Sequence, residues 1–160
     1  MGRYYSGDIE GKFGFACQSS DDADFFGVTG YQPNILNYEF EKDDLDKVNE
    51  GIKKCKEESL MIKHLDKYNE ITKDKNYINH GTTSSQLGID DNTFNDFLKL
   101  NARLHLGLQI KESIETKGQC YFEAEQWQIW KELKNFTNAT IVKGNIIKDY
   151  CVITLLIIKN

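Results

Sequence analysis

Two pairs of carboxylates are the residues of this chain best suited to chemistry. Asp8 and Glu10 stand two residues apart, and so do Glu123 and Glu125. Side chains two residues apart on a β-strand leave the same face, so each pair would lie together on an extended segment. Four carboxylates that met would offer the oxygen ligands that Mg²⁺ and Mn²⁺ prefer, and these ions serve phosphoryl chemistry. One interpretation is therefore a small metal-dependent hydrolase acting on a phosphate-containing substrate.

The hydrolase interpretation depends on the fold bringing the two pairs together. Arg3 and Lys12 would then neutralise the charge that develops during the reaction. Nothing in the sequence requires the pairs to meet, and a helix over residues 123–125 would splay the second pair. Carboxylates in contact with solvent on ordinary strands are the plainer interpretation, and the sequence alone favours it. The sequence identifies no catalytic residue and no cofactor.

The N-terminal segment GRYYSGDIEGKFGFAC predicts a strand or hairpin with two unlike faces. Residues of one parity, among them Ile9 and Phe13, would face a core, and the other parity is aromatic and charged. Arginine and tyrosine side chains together form a flat platform suited to a base or a peptide. The plainer interpretation, which the sequence modestly favours, is that they anchor the N-terminus to a sheet edge. We nevertheless predict a ligand-binding surface made of Arg3, Tyr4, Tyr5, Asp8, Glu10 and Lys12.

Histidine and cysteine give weaker indications of a site. His80 lies in a polar segment beside Gly81 and is the histidine placed most like a site residue. His64 falls on the polar side of a predicted helix, and His105 lies in an otherwise apolar helix, where a hydrogen-bonded structural role is the commoner one. The 4 cysteines have no zinc-site spacing. No cysteine–histidine pair is supported as nucleophile and base.

The composition narrows the classes of partner and the compartment. The chain has 160 residues and a formal net charge of −5, and its lysines are interleaved with acids. This argues against a nucleic-acid backbone as the main partner, because phosphate binding needs a clustered basic face. No apolar run is long enough for a bilayer, and no signal peptide precedes the cysteines. We predict one cytoplasmic domain over residues 1–160 with reduced thiols, binding a small molecule or a host protein.

Hydrophobic periodicity predicts an α+β fold: a small, mostly antiparallel sheet with two long helices and a shorter third helix packed on it. The predicted strands cover residues 3–17, broken near Gly7 or Gly11, then 35–41 and 150–158. The predicted helices cover 43–65, 91–117 and 124–136, and residues 72–90 are predicted to be mostly loop. The helix over 91–117 is apolar around much of its circumference, which is typical of a central helix or of a homo-oligomer interface.

Two segments, GRYYSGDIEGKFGFACQSSDDADFFG and NARLHLGLQIKESIETKGQCYFEAEQW, carry a family resemblance. Together they resemble uncharacterised small proteins of large DNA viruses and phage-like genomes. The resemblance implies an accessory role inside an infected cell and implies no particular activity. It places these residues in recurring motifs: Gly7, Asp8, Glu10, Gly11, Lys12, Cys120, Phe122, Glu123 and Glu125.

Overall fold

The computed structural model describes residues 4–12, 18–31, 35–75, 78–125 and 152–153, and it has the predicted α+β fold. Its strands are β1 Tyr4–Gly7, β2 Gly11–Lys12, β3 Ile35–Glu41, β4 Ile78–Asn79, β5 Gln119–Glu125 and β6 Val152–Ile153. Its α-helices are α1 Leu45–Glu57, α2 Ser59–Thr72, α3 His80–Leu87 and α4 Asp91–Lys117, with 3₁₀ turns at Asp22–Phe26 and Lys42–Asp44.

The main sheet has the strand order β2-β1-β5-β3, and every neighbouring pair is antiparallel. The break between β1 and β2 falls between Gly7 and Gly11, as predicted. Both glycines have positive φ angles, 124° and 138°, which L side chains rarely adopt. Asp8 and Glu10 consequently lie in the turn between the strands, which corrects the prediction that they share one face of a strand.

The inner face of the sheet carries the centre of the core. On this face the rings of Tyr38 and Phe40 lie nearly parallel to the ring of Phe122, at centroid distances of 5.0 and 6.2 Å. All three side chains are fully buried. Helix α4 packs on β5 and β3 and also contacts α1, α2 and α3. The apolar positions around α4 are thus explained by its central place within the chain.

Helix α4 has the predicted bounds because both of its ends are specified locally. Asp90 caps its start and accepts hydrogen bonds from the backbone N–H groups of Asn92 and Thr93, each at 3.0 Å. Gly118 ends it in the left-handed conformation with φ 86°.

The predicted single helix over 43–65 is wrong, since the chain is extended at Glu58 and divides there into α1 and α2. A continuous helix would have carried the stripe of Val48, Ile52 and Cys55 on to Ile62. Instead α2 buries Met61 and leaves Ile62 69% exposed. The interruption rotates the buried face of the second helix by about one residue, or roughly 100°.

The segment 72–90, predicted as loop, contains β4 and α3. The serines, threonines and glycines of this segment leave it without the regular spacing of apolar residues that predicts a helix. Asn79 nevertheless caps α3 by accepting from the backbone N–H of Thr82 at 3.0 Å, and Gly88 ends the helix with φ 76°. Strand β4 pairs with β6, which is the described part of the predicted strand 150–158. In the predicted helix 124–136, residues 124 and 125 belong to β5, and the rest lie outside the described residues.

Candidate functional site

The outer face of the sheet, opposite the core, displays aromatic and acidic side chains. Strand alternation turns Leu36, Tyr38 and Phe40 inward on β3, and Cys120 and Phe122 inward on β5. Their neighbours therefore point outward. We define the outer face as Ser6, Tyr31, Ile35, Asn37, Glu39, Tyr121 and Glu123.

Tyr121 lies in the middle of the outer face and is held by its hydroxyl group. Its oxygen lies 2.8 Å from Asn37 Oδ1 and 3.1 Å from Glu123 Oε1. Desolvation raises the pKa of Tyr121, and the hydrogen bond to Glu123 raises it further, so the hydroxyl keeps its proton for one of these two acceptors. Asn37 is only 5% exposed, whereas Tyr121 is 38% exposed. The polar tip of this side chain is thus anchored while its ring faces solvent.

Tyr31 extends the outer face beyond β3. It forms an isolated antiparallel bridge to Asn37, with backbone hydrogen bonds of 3.3 and 3.1 Å, and its side chain is 53% exposed. A bridge places the two side chains on the same face, so Tyr31 lies beside Asn37, which the Tyr121 hydroxyl reaches from β5. Ile35, also exposed, lies two residues before Asn37 on β3.

The segment that precedes Tyr31 is held by hydrogen bonds that link it to the buried residue Tyr38. Asp24 Oδ1 accepts from the Tyr38 hydroxyl at 2.7 Å and from the backbone N–H of Gly30 at 3.1 Å. Gly30 is required there, because a Cβ atom at this position would lie 2.7 Å from Tyr38 Cζ. Burial and the neighbouring Asp24 carboxylate raise the pKa of Tyr38 far above its ordinary value, so this hydroxyl remains a donor.

The charge of the outer face is acidic. Glu39 is exposed and pairs in register with Tyr121, and Glu123 pairs with Asn37. Among the described side chains that β1, β3 and β5 direct outward, none is basic. The exposed ring of Tyr121 therefore lies between two carboxylates.

Asp8, predicted as a site residue, makes contacts within the chain at the turn after β1. Its Oδ1 lies 2.6 Å from Lys117 Nζ, and its Oδ2 accepts from the backbone N–H of Tyr121 at 2.8 Å. The Asp8 backbone N–H also donates to the Tyr121 carbonyl at 2.7 Å. The turn after β1 is thereby fastened to β5 and to the end of α4. The hydrogen bond from Lys117, followed by the one from Tyr121, holds the pKa of Asp8 below its ordinary value.

Replacing Asp8 with asparagine is expected to lower the free energy of unfolding at pH 7 by about 1 kcal/mol. Because the pKa of Asp8 is lower in the folded chain, this stabilisation is complete above the ordinary value of 3.8 and is lost as the pH falls through the folded-state pKa. Urea unfolding at several pH values should show the gap between the two proteins closing below that value. Asp66→Asn, on the exposed side of α2, is the matched control and should stay within about 0.5 kcal/mol. A gap that is the same at pH 7 and pH 3 would contradict the role of Asp8.

The structure does not bring the described side chains of the two carboxylate pairs, Asp8, Glu10 and Glu123, into one centre. Asp8 forms an ion pair with Lys117, and Glu123 accepts a hydrogen bond from the Tyr121 hydroxyl. Glu10 is exposed in the turn. Glu125 pairs with Ile35 through its backbone, and its side chain lies outside the described residues. In the described ranges, no group of three or more histidine, cysteine or acidic side chains is placed to hold a metal ion.

The predicted N-terminal surface is only partly described. Arg3 and the side chains of Tyr4 and Lys12 lie outside the described residues, although the backbones of Tyr4 and Lys12 pair in the sheet. Tyr5 is buried, and its ring packs edge-on against Phe122 at a centroid distance of 5.5 Å. It therefore contributes to the core and not to an exposed platform.

His80 belongs to a polar cluster that joins α3 to α4. Its Nε2 lies 2.9 Å from Asn95 Oδ1, and its Nδ1 lies 3.5 Å from Asp91 Oδ1. The Ser84 hydroxyl lies 3.1 Å from the same Asp91 oxygen and 3.1 Å from the Gly81 carbonyl, and these two are its acceptors among the described residues. The cluster thus lacks the contact between nucleophile and base that acyl transfer requires, and it has the geometry of a clamp between helices. His64 packs edge-on against Phe97, and His105 is exposed.

Comparison with known proteins gives no relatives. No protein family model, curated protein or solved structure matches this chain. Among the described helices, none has both the length and the apolar character needed to cross a membrane.

Proposed function

We propose that the protein is a non-catalytic binding module whose binding surface is the outer face of the sheet. The observation that carries this proposal is the state of Tyr121, an exposed ring whose hydroxyl is anchored to the buried Asn37 and to Glu123. An aromatic side chain that is already ordered loses little conformational entropy when a partner covers it. Tyrosine is also among the residue types most enriched where proteins meet their partners.

The shape of the outer face favours a protein partner over an enclosed small molecule. Small-molecule sites are concave and cover most of the ligand, whereas this surface is one side of an open antiparallel sheet. Tyr31, Ile35 and Tyr121 are its exposed large hydrophobic residues. Apolar centres surrounded by polar groups are typical of protein interfaces. The proposed partner is accordingly a host protein, and a small ligand is the alternative.

The setting of this activity is also part of the proposal. The resemblance to proteins of large DNA viruses and phage-like genomes supports an accessory role in the cytoplasm of an infected cell. Cys55 and Cys120 are free and buried, and burial raises the pKa of each thiol to about 11, which suits reduced structural cysteines. A homo-oligomer through α4 remains a prediction, for which Leu108 is the exposed apolar residue.

Native mass spectrometry of the gently purified protein tests the proposal. The wild-type chain is expected to retain a partner or ligand, and the double variant Tyr31→Ser/Tyr121→Ser is expected to lose it. Ile62→Ser is the matched control, because Ile62 is exposed on α2, and it should keep the added mass. The same spectra report the number of subunits. An adduct retained by the double variant, or no adduct on any of the three proteins, would contradict the proposed surface.

A further inference from the structure

We infer that the outer face recognises a cationic group, namely an arginine or lysine side chain of a partner protein. This inference rests on the proposed function and adds the chemistry of the partner to it. Its basis is the combination of an exposed aromatic ring with two carboxylates on the same face of the sheet that have no cationic partner among the described residues.

The carboxylates lie beside the Tyr121 ring. Glu39 is its register partner on β3, and Glu123 is two residues along β5 on the same side. Residues directly opposite each other in an antiparallel pair have Cβ atoms about 5 Å apart. A cation over the Tyr121 ring would therefore lie within reach of both acids.

Both carboxylates can accept further hydrogen bonds. Glu39 is exposed and makes no hydrogen bond or ion pair with any side chain in the described part of the chain. Glu123 accepts only the Tyr121 hydroxyl at 3.1 Å among those residues. A carboxylate offers about four acceptor positions, so most of its capacity remains for a donor from outside. Guanidinium and ammonium groups are the donors that also carry the complementary charge.

The aromatic ring favours the same class of partner. The face of a tyrosine ring attracts a cation through its quadrupole. A phosphate or carboxylate group would instead meet Glu39 and Glu123 with like charge, and none of the described residues that define the outer face is basic. An apolar peptide without charge would leave both acids unpaired under its cover, which is unfavourable. The cationic partner is the one that satisfies both features.

The protein already holds one of its own cations in this manner. The guanidinium carbon of Arg103 lies 4.7 Å from the centroid of the Phe25 ring, while Arg103 Nη2 lies 2.6 Å from the Asp22 carboxylate. The ring and the carboxylate act on the same cation there. The outer face presents the same two kinds of group with no cation of the described chain between them.

The test is a titration of the ¹⁵N-labelled full chain with two matched peptides, observed through the backbone amide signals. One peptide is acetyl-Gly-Arg-Gly-Arg-Gly-amide, and the other replaces each arginine with citrulline, its neutral isostere. We expect the arginine peptide to shift the signals of the outer face and the citrulline peptide to bind at least tenfold more weakly. Glu39→Gln/Glu123→Gln should weaken the arginine peptide at least tenfold. Glu70→Gln, exposed on α2, is the matched control and should leave its affinity unchanged.

The outcomes separate this inference from the proposed function. Equal binding of both peptides at the outer face would overturn the cationic partner and leave the binding surface standing. Arginine-peptide shifts spread over all acidic surfaces, and weakened equally by Glu70→Gln, would mean unspecific charge attraction and would overturn the inference. No shift at all would overturn it too. The proposed binding surface would still be tested by native mass spectrometry, which shows whether the Tyr31→Ser/Tyr121→Ser protein loses the bound partner.

Discussion

Replacing Arg103 with methionine is expected to lower the free energy of unfolding by about 3 kcal/mol, measured by urea denaturation. Arg103 donates to Asp22 Oδ1 from Nη2 at 2.6 Å and from Nε at 2.8 Å. The Asp22 side chain is only 4% exposed, and its other oxygen accepts from Gln18 at 3.0 Å. Methionine keeps the aliphatic stem of the arginine but removes both donors. The carboxylate would then remain buried with its charge uncompensated, and this causes the large loss.

Two further variants decide whether the buried charge is the cause. Lys99→Met removes an exposed cation from the preceding turn of α4, where Lys99 pairs with Asp96, and should change stability by less than about 0.5 kcal/mol. Asp22→Asn combined with Arg103→Met removes both charges and should recover at least half of the loss. If Arg103→Met costs no more than Lys99→Met, the ion pair does not fasten the 3₁₀ turn to α4.

Replacing Gly107 with alanine is expected to destabilise the protein by about 2 kcal/mol, although alanine is the better helix former by about 1 kcal/mol. A Cβ atom at Gly107 would overlap Phe26 Cε1 and would lie 2.6 Å from Phe26 Cζ and 3.0 Å from Ile52 Cγ1. The Phe26 ring is fully buried between α4 and α1, where a Cβ atom at Gly51 would also lie only 2.7 Å from its Cδ1. The ring therefore has no room to move aside.

The matched control for this substitution is Gly81→Ala in α3. A Cβ atom at Gly81 meets nothing closer than 3.9 Å, so alanine should be neutral or stabilising by up to about 1 kcal/mol. Combining Gly107→Ala with Phe26→Ala should abolish the cost of the added methyl group, since the methyl then enters the space that the ring has left. Equal effects at positions 81 and 107 in urea denaturation would show that Phe26 does not require the glycine.

The fold could be predicted where its signals are local. Helix α4 has a capping aspartate at one end and a C-terminal glycine at the other, and its bounds were predicted as they are. The interruption at Glu58 has no such signal, because a helical period continues through it and only the packing of Met61 and Tyr68 shows that the buried face has changed. The sequence does not predict helix α3, because its capping by Asn79 involves no apolar pattern.

The candidate site could be predicted only in part because it depends on strand pairing. The sequence predicts the alternation of Asn37 and Glu39 with buried neighbours, and it gives Glu123 as a candidate metal ligand. The register between β3 and β5 brings the Tyr121 hydroxyl to Asn37, which is 84 positions away in the sequence. The same hydroxyl is hydrogen-bonded to Glu123. No local pattern specifies that register, so the tyrosines of the outer face were not identified.

Site-specific photo-crosslinking in the cells that produce the protein tests the outer face most directly. A p-benzoylphenylalanine residue is introduced in place of Tyr31, and in a second protein in place of Ile62, which is also exposed but lies on α2. We expect a discrete crosslinked product from position 31 that is absent from position 62 and is lost when Tyr121→Ser is added. The same products in equal yield from both positions, or a product at position 31 that persists with Tyr121→Ser, would contradict a binding surface on this face of the sheet.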